Sequence, residues 1–385
     1  MLWIRALVWA SALIWCAASQ PTVLFVDSSD GGFLNSVVSL EQLSAEGLSA
    51  VVASLLAVQP PAAVSAVVSQ QVEALIKPNI FARPEALLAI QIAGVDPAVV
   101  TKESAAALLG ERPQHRVTFN AAAPHTALVT ALRAVAEGTP SRLNYHALDF
   151  TGLSGCSDAC VEQLLKETLA GLGGSYSPGP GPMTGIVNLP SSTSGPPVQL
   201  DLGSLAERLW ATELATLHQT VADVIAEKVR REAQGEDSGP AAPELLEATL
   251  VGMQGVLEAH GADSAQYAAA WAALVAELRG AQDKLSKAFN NRLVSQISLL
   301  GEVPAGKDNM RSLLQWREAH RFRQLLAPVP GYTAGNETSP EQWATKAIAW
   351  TSFIILLFFT LAGICCLTNM QFKRDSLLYG RAKAD

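Results

Sequence analysis

The sequence predicts an α+β lumenal ectodomain, with a mixed α/β N-terminal part and a C-terminal antiparallel helical hairpin or bundle, followed by one C-terminal transmembrane helix. Three observations predict this fold class. Ala347–Leu367 is an uncharged run, and about 20 apolar residues are enough to cross a bilayer. Residues 1–19 combine a single base, Arg5, with a short apolar stretch and small residues at the end, which is typical of a cleaved signal peptide. Between them, mixed strand and helix patterns precede a region of mainly helical periodicity.

Charge on the two sides of the predicted span indicates its orientation. The tail, residues 368–385, carries several basic residues, whereas the other flank has Lys346 with Glu337 and Glu341 nearby. Because basic residues are enriched on the cytosolic side of a span, we expect a single-pass type I membrane protein. Its N-terminus would be lumenal and its C-terminus cytosolic.

Residues 20–170 are predicted to form the N-terminal α/β domain. Thr22–Val26 has a β-type pattern, and Ala86–Ala93 is an apolar run ended by Gly94, as expected of a buried strand. Residues 171–200 are rich in Gly, Pro and Ser, so we predict a linker there. The remaining predicted elements are helices at 39–56, 61–76, 127–136 and 160–172 and weaker strands at 116–120 and 142–148.

Residues 201–301 are predicted to form a helical lumenal domain. Apolar residues recur there at steps of three and four, and core packing explains these stripes better than a cofactor site does. Gly261 suits a helix C-cap and Asp263 can cap the following helix. Short breaks between the helices favour an antiparallel hairpin or small bundle. The predicted helices lie at 210–224, 246–257 and 263–288, and residues 292–300 resemble a closing strand.

Residues 302–346 are predicted to form a membrane-proximal stalk. The N-glycosylation sequon at Asn336 lies in this stalk, close to the span. In the tail, Arg381 and Lys383 give a basic-x-basic-x-x ending, which is similar to a cytosolic retrieval signal to the endoplasmic reticulum. An ordinary basic juxtamembrane tail is an equally open interpretation.

Five cysteines divide between compartments. Cys16 would leave with the signal peptide, which leaves Cys156 and Cys160 in the oxidising lumen. They either form a disulfide across a short loop, provided that the segment is not a regular helix, or remain two free thiols. Cys365 and Cys366 lie at the cytosolic end of the span, where palmitoylation and simple packing are both open.

The sequence offers little evidence of catalysis. A net charge of −8 and a pI near 5.4 argue against a nucleic-acid partner. The six histidines show no metal-ligand spacing, and Gly152–Gly155 lacks the spacing of a nucleophile elbow. The predicted span contains no Asp, Glu, His, Lys or Arg, so it cannot carry protons by itself. We therefore expect no catalytic residue, cofactor or metal site, with a membrane-tethered lumenal enzyme as a less favoured alternative.

Short motifs occur in a fixed order along the ectodomain and tail. Asn79–Pro84 with Gly94-Val95, Glu213-Leu214 with Leu217-His218, Gly261–Tyr267, Asn369-Met370 and Asp375–Tyr379 are similar to N-L-F-x-R-P with G-V, S-E-L-Q-V-L-H, Y-G-E-D-S-E-Q-F, N-M and D-S-I-I-Y. In this order, and with the same predicted topology, they resemble the renin receptor family, also called V-type proton ATPase accessory subunit 2. The resemblance covers residues near 77–95, 205–300 and 345–385.

The resemblance implies a non-catalytic function in assembly and support of the vacuolar proton pump, in the endoplasmic reticulum and endomembranes. It implies contact of the span and tail with the membrane sector, near the proteolipid ring and other accessory subunits, and a retrieval role for Arg381 and Lys383. The residues expected at the membrane-sector contact are Trp350, Gly363, Asn369, Met370, Asp375 and Tyr379.

Two departures limit the resemblance. The basic R-x-x-R cleavage motif of the better-known animal members has no match between the ectodomain and the span, and no residue supports prorenin binding. The alternative function with the same topology and tail is a lumenal cargo or folding receptor that cycles between the endoplasmic reticulum and the Golgi.

Overall fold

The computed structural model describes residues 20–28, 32–35, 42–60, 63–77, 83–98, 114–120, 124–138, 143–148, 156–181, 183–191, 196–234 and 242–301. All of them lie within Met1–Ala327, one of the two units into which the chain divides. The described residues form ten strands and seven helices. The strands are β1 (Thr22–Asp27), β2 (Gln42–Leu43), β3 (Ala86–Ile92), β4 (Gln114–Phe119), β5 (Asn144–Leu148), β6 (Ser175–Pro178), β7 (Gly185–Leu189), β8 (Val198–Asp201), β9 (Glu244–Leu250) and β10 (Leu293–Leu299). The helices are α1 (Ala45–Leu55), α2 (Ala66–Leu75), α3 (Pro124–Gly138), α4 (Asp158–Gly171), α5 (Leu205–Gln234), α6 (Gly252–His260) and α7 (Ala265–Ala288).

A mixed seven-stranded sheet forms the centre of the fold, in the order β2-β4-β1-β10-β3-β9-β5. The strands β10, β3, β9 and β5 are parallel to one another, and β1 is antiparallel to both of its neighbours. Because β1 pairs with β10 along its whole length, the first and last described strands lie side by side and close the domain. The central strands β1, β10 and β3 are buried along their whole length, as expected when helices cover both faces of the sheet.

The predicted α+β division, with a separate C-terminal helical hairpin or bundle, is wrong. Residues 201–301 contribute β9 and β10, which lie on the two sides of β3 and complete the α/β sheet. The spacing of Leu246, Leu250 and Met253 predicts a helix. A strand that is buried on both faces has no alternation of polar and apolar residues, so its pattern cannot be told from that of a buried helix. Among the described residues, no helix is long and apolar enough to cross a membrane. The predicted span Ala347–Leu367 lies outside those residues.

The predicted linker at 171–200 is also wrong, because this segment contains a second sheet of antiparallel strands in the order β6-β7-β8. The glycines of this segment permit tight turns between its strands. Gly185 has φ +128°, and a Cβ there would lie 2.1 Å from the Ser177 carbonyl oxygen. Tyr176 is buried and donates its hydroxyl hydrogen to the Thr184 carbonyl at 2.6 Å. The small sheet packs against α4 and α7, so its few apolar side chains join the main core.

Alternation along the strands assigns the covering helices to the two faces of the large sheet. Glu244 of β9 contacts Arg231 of α5, which places α5 on one face. Glu247 points to the opposite face with Tyr145 of β5, and Arg133 of α3 interacts with the Tyr145 hydroxyl there. The sheet is therefore enclosed between two helical layers.

Caps fix where the helices begin and end. Ser44, Ser65 and Ser264 each accept a hydrogen bond from the backbone N–H three residues ahead, at the starts of α1, α2 and α7. The cap of α7 is thus Ser264 and not the predicted Asp263. Gly261 ends α6 with φ +82°, in agreement with its predicted role.

Two glycines test how closely the backbones pack. A Cβ on Gly252 would lie 2.5 Å from the Trp210 Cα, whereas a Cβ on Gly280 in α7 would meet nothing within 4 Å. We expect Gly252→Ala to destabilise the protein by about 2 kcal/mol or more, because α5 and α6 must separate. Gly280→Ala is the matched control and should stabilise by about 0.5–1 kcal/mol. Urea unfolding of the full-length chain, followed by tryptophan fluorescence, measures both; equal stability of the two variants would contradict the packing.

Candidate functional site

Most of the predicted site residues lie outside the described part of the chain. These are the retrieval residues Arg381 and Lys383, the glycosylation residue Asn336, the palmitoylation candidates Cys365 and Cys366, and the membrane-contact residues Trp350, Gly363, Asn369, Met370, Asp375 and Tyr379.

Cys156 and Cys160 form a disulfide, with their Cα atoms 5.3 Å apart. Cys156 precedes the N-cap Ser157, so only Cys160 belongs to α4. The bridge therefore joins the incoming loop to the first turn of the helix, which satisfies the condition that the pair should not lie within one regular helix.

Three of the histidines pair with buried glutamates. The ring nitrogens of His146, His218 and His260 lie 2.6, 2.9 and 2.7 Å from carboxylate oxygens of Glu244, Glu277 and Glu207, respectively. The pairs join β5 to β9, α5 to α7 and α6 to α5, so each links two elements of one helical layer or sheet. Within the described residues, no group of three or more His, Cys, Asp or Glu side chains is placed to hold a metal ion.

One end of α5 lies over the amino ends of the parallel strands. Glu244, at the start of β9, accepts hydrogen bonds from Asn144, Arg231 and His146. Burial acts to raise the pKa of this carboxyl, but the hydrogen bonds from His146, Arg231 and Asn144 outweigh it and lower the pKa below its ordinary value. Lys228 of α5 extends the same edge through an ion pair with Glu85 at 3.3 Å.

The other end of α5 lies at the carboxyl ends of the same strands. The Glu213 carboxylate accepts hydrogen bonds from the Val251 and Gly252 N–H groups at 3.0 and 2.8 Å, which caps α6. Gly94, which follows β3, has φ +80°, and a Cβ there would lie 2.3 Å from the Gln254 Cα. The Tyr267 hydroxyl donates to the Gly94 carbonyl at 2.7 Å. Three segments distant in sequence thus meet around α6.

Arg208 lies in the first turn of α5 and is 6% exposed. Its Nε is buried without a hydrogen-bond partner, and in the described part of the chain no carboxylate lies within ion-pair distance of its guanidinium. Burial lowers the pKa of this arginine below its ordinary value. By contrast, Lys228, Arg231 and Arg292 each have a glutamate partner.

Polar side chains also occupy one face of the large sheet. Gln91 and Gln296 are 0% exposed and His115 is 7% exposed. The register places Gln296 beside Phe25 and Ala89, His115 beside Phe25 and Gln91 beside Ser298, so all three point to the same face. Both amide atoms of Gln91, the Oε1 of Gln296 and the Nε2 of His115 are buried there without a hydrogen-bond partner. Burial lowers the pKa of His115, and the Asp27 carboxylate opposes this effect.

A family comparison covers the whole of this domain. Residues 19–301 match a domain of unknown function, DUF7794. The chain belongs to this family. The matched region begins just before β1 and ends just after β10, so the DUF7794 domain is the described fold. No curated protein and no solved structure matches the chain.

Sequence reasoning missed the buried polar groups of this domain. Arg208 lies in the run Leu205–Leu217, where the charged residues look like the solvated side of an amphipathic helix. In the structure, the small sheet, α4, α6 and α7 surround this part of α5. Gln91 was visible as the single polar residue in an apolar strand, which is the one signal that could have indicated a buried polar face.

The charge of Glu244 should stabilise the DUF7794 domain in a pH-dependent way. Because its folded-state pKa is lowered, the contribution is present above the unfolded value of 4.5 and is lost as pH falls through the folded value. We expect Glu244→Gln to cost about 3 kcal/mol near pH 7 and less near pH 3, because the contribution decreases as pH falls below the unfolded value. The control Glu232→Gln removes a half-exposed partner of Lys228 and should cost under about 0.5 kcal/mol. Urea unfolding at the two pH values measures this, and an equal loss at both would contradict it.

His115 should make the domain less stable in acid. Its folded-state pKa is lowered, so below about pH 6.5 the unfolded chain binds the proton more readily than the folded chain. The free energy of unfolding therefore decreases as the pH decreases. Replacing it by a residue that does not titrate, His115→Gln, should make the decline in melting temperature between about pH 7.5 and pH 5.5 shallower than in the wild type. Parallel declines in the two proteins would show that the buried ring does not control this range.

Proposed function

We propose that the protein is a non-catalytic accessory and assembly subunit of the vacuolar proton ATPase. Its DUF7794 domain faces the lumen, and the uncharged segment Ala347–Leu367 with the residues after it contacts the membrane sector of the pump. The proposal derives from the resemblance to the renin receptor family, and one observation supports it in particular: the ectodomain motifs of that resemblance converge around α6.

The convergence involves Gly94, Glu213 and Tyr267, which lie in three separate motifs. Tyr267 donates to the carbonyl of Gly94, and Gly94 packs against the backbone of α6 at Gln254. Glu213 binds the first N–H groups of the same helix. Short motifs that match by chance have no reason to meet in space. Contacts between them favour a shared architecture, although the family's Phe at the Tyr267 position could not donate the hydrogen bond.

The charges of the domain favour a structural role. The buried carboxylates Glu207, Glu213, Glu244 and Glu277 are each occupied by a histidine, an arginine or backbone N–H groups. A carboxylate held in this way stabilises packing between elements and offers no free base. The uncharged segment Ala347–Leu367 contains no Asp, Glu, His, Lys or Arg for proton transfer, so the proton-carrying carboxylate would belong to another subunit.

Co-purification tests the proposal. Membranes that contain the tagged full-length chain are solubilised in mild detergent, and the proteins recovered on the tag are identified by mass spectrometry. We expect the proteolipid ring of the pump and other accessory subunits. Exchange of residues 347–385 for an unrelated uncharged span and tail should abolish this recovery, because the proposed contact is removed while the DUF7794 domain is left unchanged.

Two variants sharpen the experiment. Arg381→Ala with Lys383→Ala should leave the pump contact intact but move the protein out of the endoplasmic reticulum, since only the retrieval signal is lost. Gly280→Ala controls for expression, because the added Cβ would meet nothing within 4 Å. Recovery of soluble lumenal proteins without pump subunits would overturn the proposal in favour of a cargo receptor.

A further inference from the structure

We propose that the first turn of α5, together with the Arg208 guanidinium, binds a phosphate-type oxyanion. This site goes beyond the accessory function and does not depend on it, because it uses only residues of the DUF7794 domain.

The burial of Arg208 is the first argument. An arginine stays charged in proteins, and a buried charge without a partner is strongly destabilising. Only 6% of the surface of Arg208 is exposed. No described carboxylate pairs with it, whereas Arg231, Lys228 and Arg292 all have glutamate partners. A guanidinium kept in this position is best explained by an anion that the described residues do not supply.

The direction of the side chain is the second argument. Side chains on a helix point back toward its N-terminus, so a residue covers the turn that precedes it. Because Arg208 is the fourth residue of α5, we expect its side chain to cover the first turn. The N–H groups of Leu205, Ala206 and Glu207 have no acceptor within the helix, because the residues four positions earlier are outside it. Gly203 is exposed and Ser204 to Ala206 are half-buried, so the turn can be reached from solvent.

The position in the fold agrees with this assignment. Glu213 contacts the carboxyl end of β9 and Arg231 contacts its amino end, so α5 runs antiparallel to β9. Its N-terminus is thus on the carboxyl side of the parallel strands, where α/β proteins bind ligands. The helix dipole adds a partial positive charge at the same place.

Two carboxylates lie near the turn, and both have other partners. Glu207 is bonded to His260 at 2.7 Å, and the carboxylate of Asp201 accepts a hydrogen bond from the Gly203 N–H at 2.8 Å. Neither pairs with Arg208. Asp201 is exposed and remains the one negative group that an incoming anion would feel in the loop before α5.

The donors define the class of ligand. A guanidinium fork combined with backbone N–H groups at a helix start matches the several oxygens of a tetrahedral phosphate better than the two oxygens of a carboxylate. The phosphate could be free or part of a phosphate monoester. Both share the same recognised group, so the experiment must compare them.

The full-length protein in mild detergent is titrated with inorganic phosphate, phenyl phosphate or acetate at constant ionic strength, and binding is followed by thermal shift and calorimetry. We expect saturable binding of phosphate. Arg208→Met should weaken it at least about tenfold, and Arg208→Lys should recover part of it, because the charge returns without the fork. The control Arg279→Met removes an exposed arginine of α7 and should bind like the wild type.

Asp201→Asn provides a test that leaves the core intact. Removal of this exposed negative charge should tighten phosphate binding several-fold, which stays decisive if Arg208→Met does not fold. Tighter binding of phenyl phosphate would assign the phosphoryl group of a larger molecule, and tighter binding of inorganic phosphate would assign the free ion. No saturable binding to the wild type, preference for acetate, or equal binding by Arg208→Met would overturn the proposal.

Discussion

The bond between the Glu213 carboxylate and the first N–H groups of α6 is the constraint on which the arrangement of this domain depends. It lies at one end of α5, and the Arg231–Glu244 ion pair lies near the other end. Together the two contacts hold α5 along the full length of β9. Since Glu213 is 4% exposed, these N–H groups help to offset the cost of burying its charge. The helix cannot slide along the sheet without breaking these hydrogen bonds.

This attachment explains where the chain requires glycine. Once α5 and α6 are fixed by Glu213, the Trp210 backbone lies against Gly252, and β3 must end against the backbone of α6 at Gly94. At both glycines the backbones are in direct contact, so there is no space for a Cβ. Gly94 also needs its positive φ to turn away from the sheet. The hydrogen bonds of Glu213 and the close backbone contacts therefore hold the same three elements together, and a change in either would move β3, α5 and α6.

The sequence predicted elements that carry a local signal and failed on those that depend on distant partners. The apolar runs of β1 and β3 and the capped helices α1, α2 and α7 are present close to the predicted positions. The pattern of β9 predicts part of a helix, because the strand pairs with β3 and β5, which are far away in sequence, and helices cover both of its faces. The composition of the small sheet predicts a linker, because its stability comes from packing on α4 and α7 and not from its own composition. The burial of Arg208 could not be predicted for the same reason, since it depends on elements that precede α5 in the sequence and on elements that follow it.

The location of the two proposed contacts has a consequence for how the protein could work. The pump contact is assigned to residues beyond 346, and the oxyanion site is assigned to α5 within the DUF7794 domain. No residue is shared, so loss of one contact leaves the chemistry of the other unchanged. Within the domain, Arg208 and Glu213 are five residues apart on one buried helix, and Glu213 fixes the helix that carries Arg208. An anion bound at the first turn would neutralise the buried guanidinium and stabilise α5 in the same position that Glu213 requires. Ligand binding and folding of this domain should therefore reinforce each other whether or not the chain is attached to the pump.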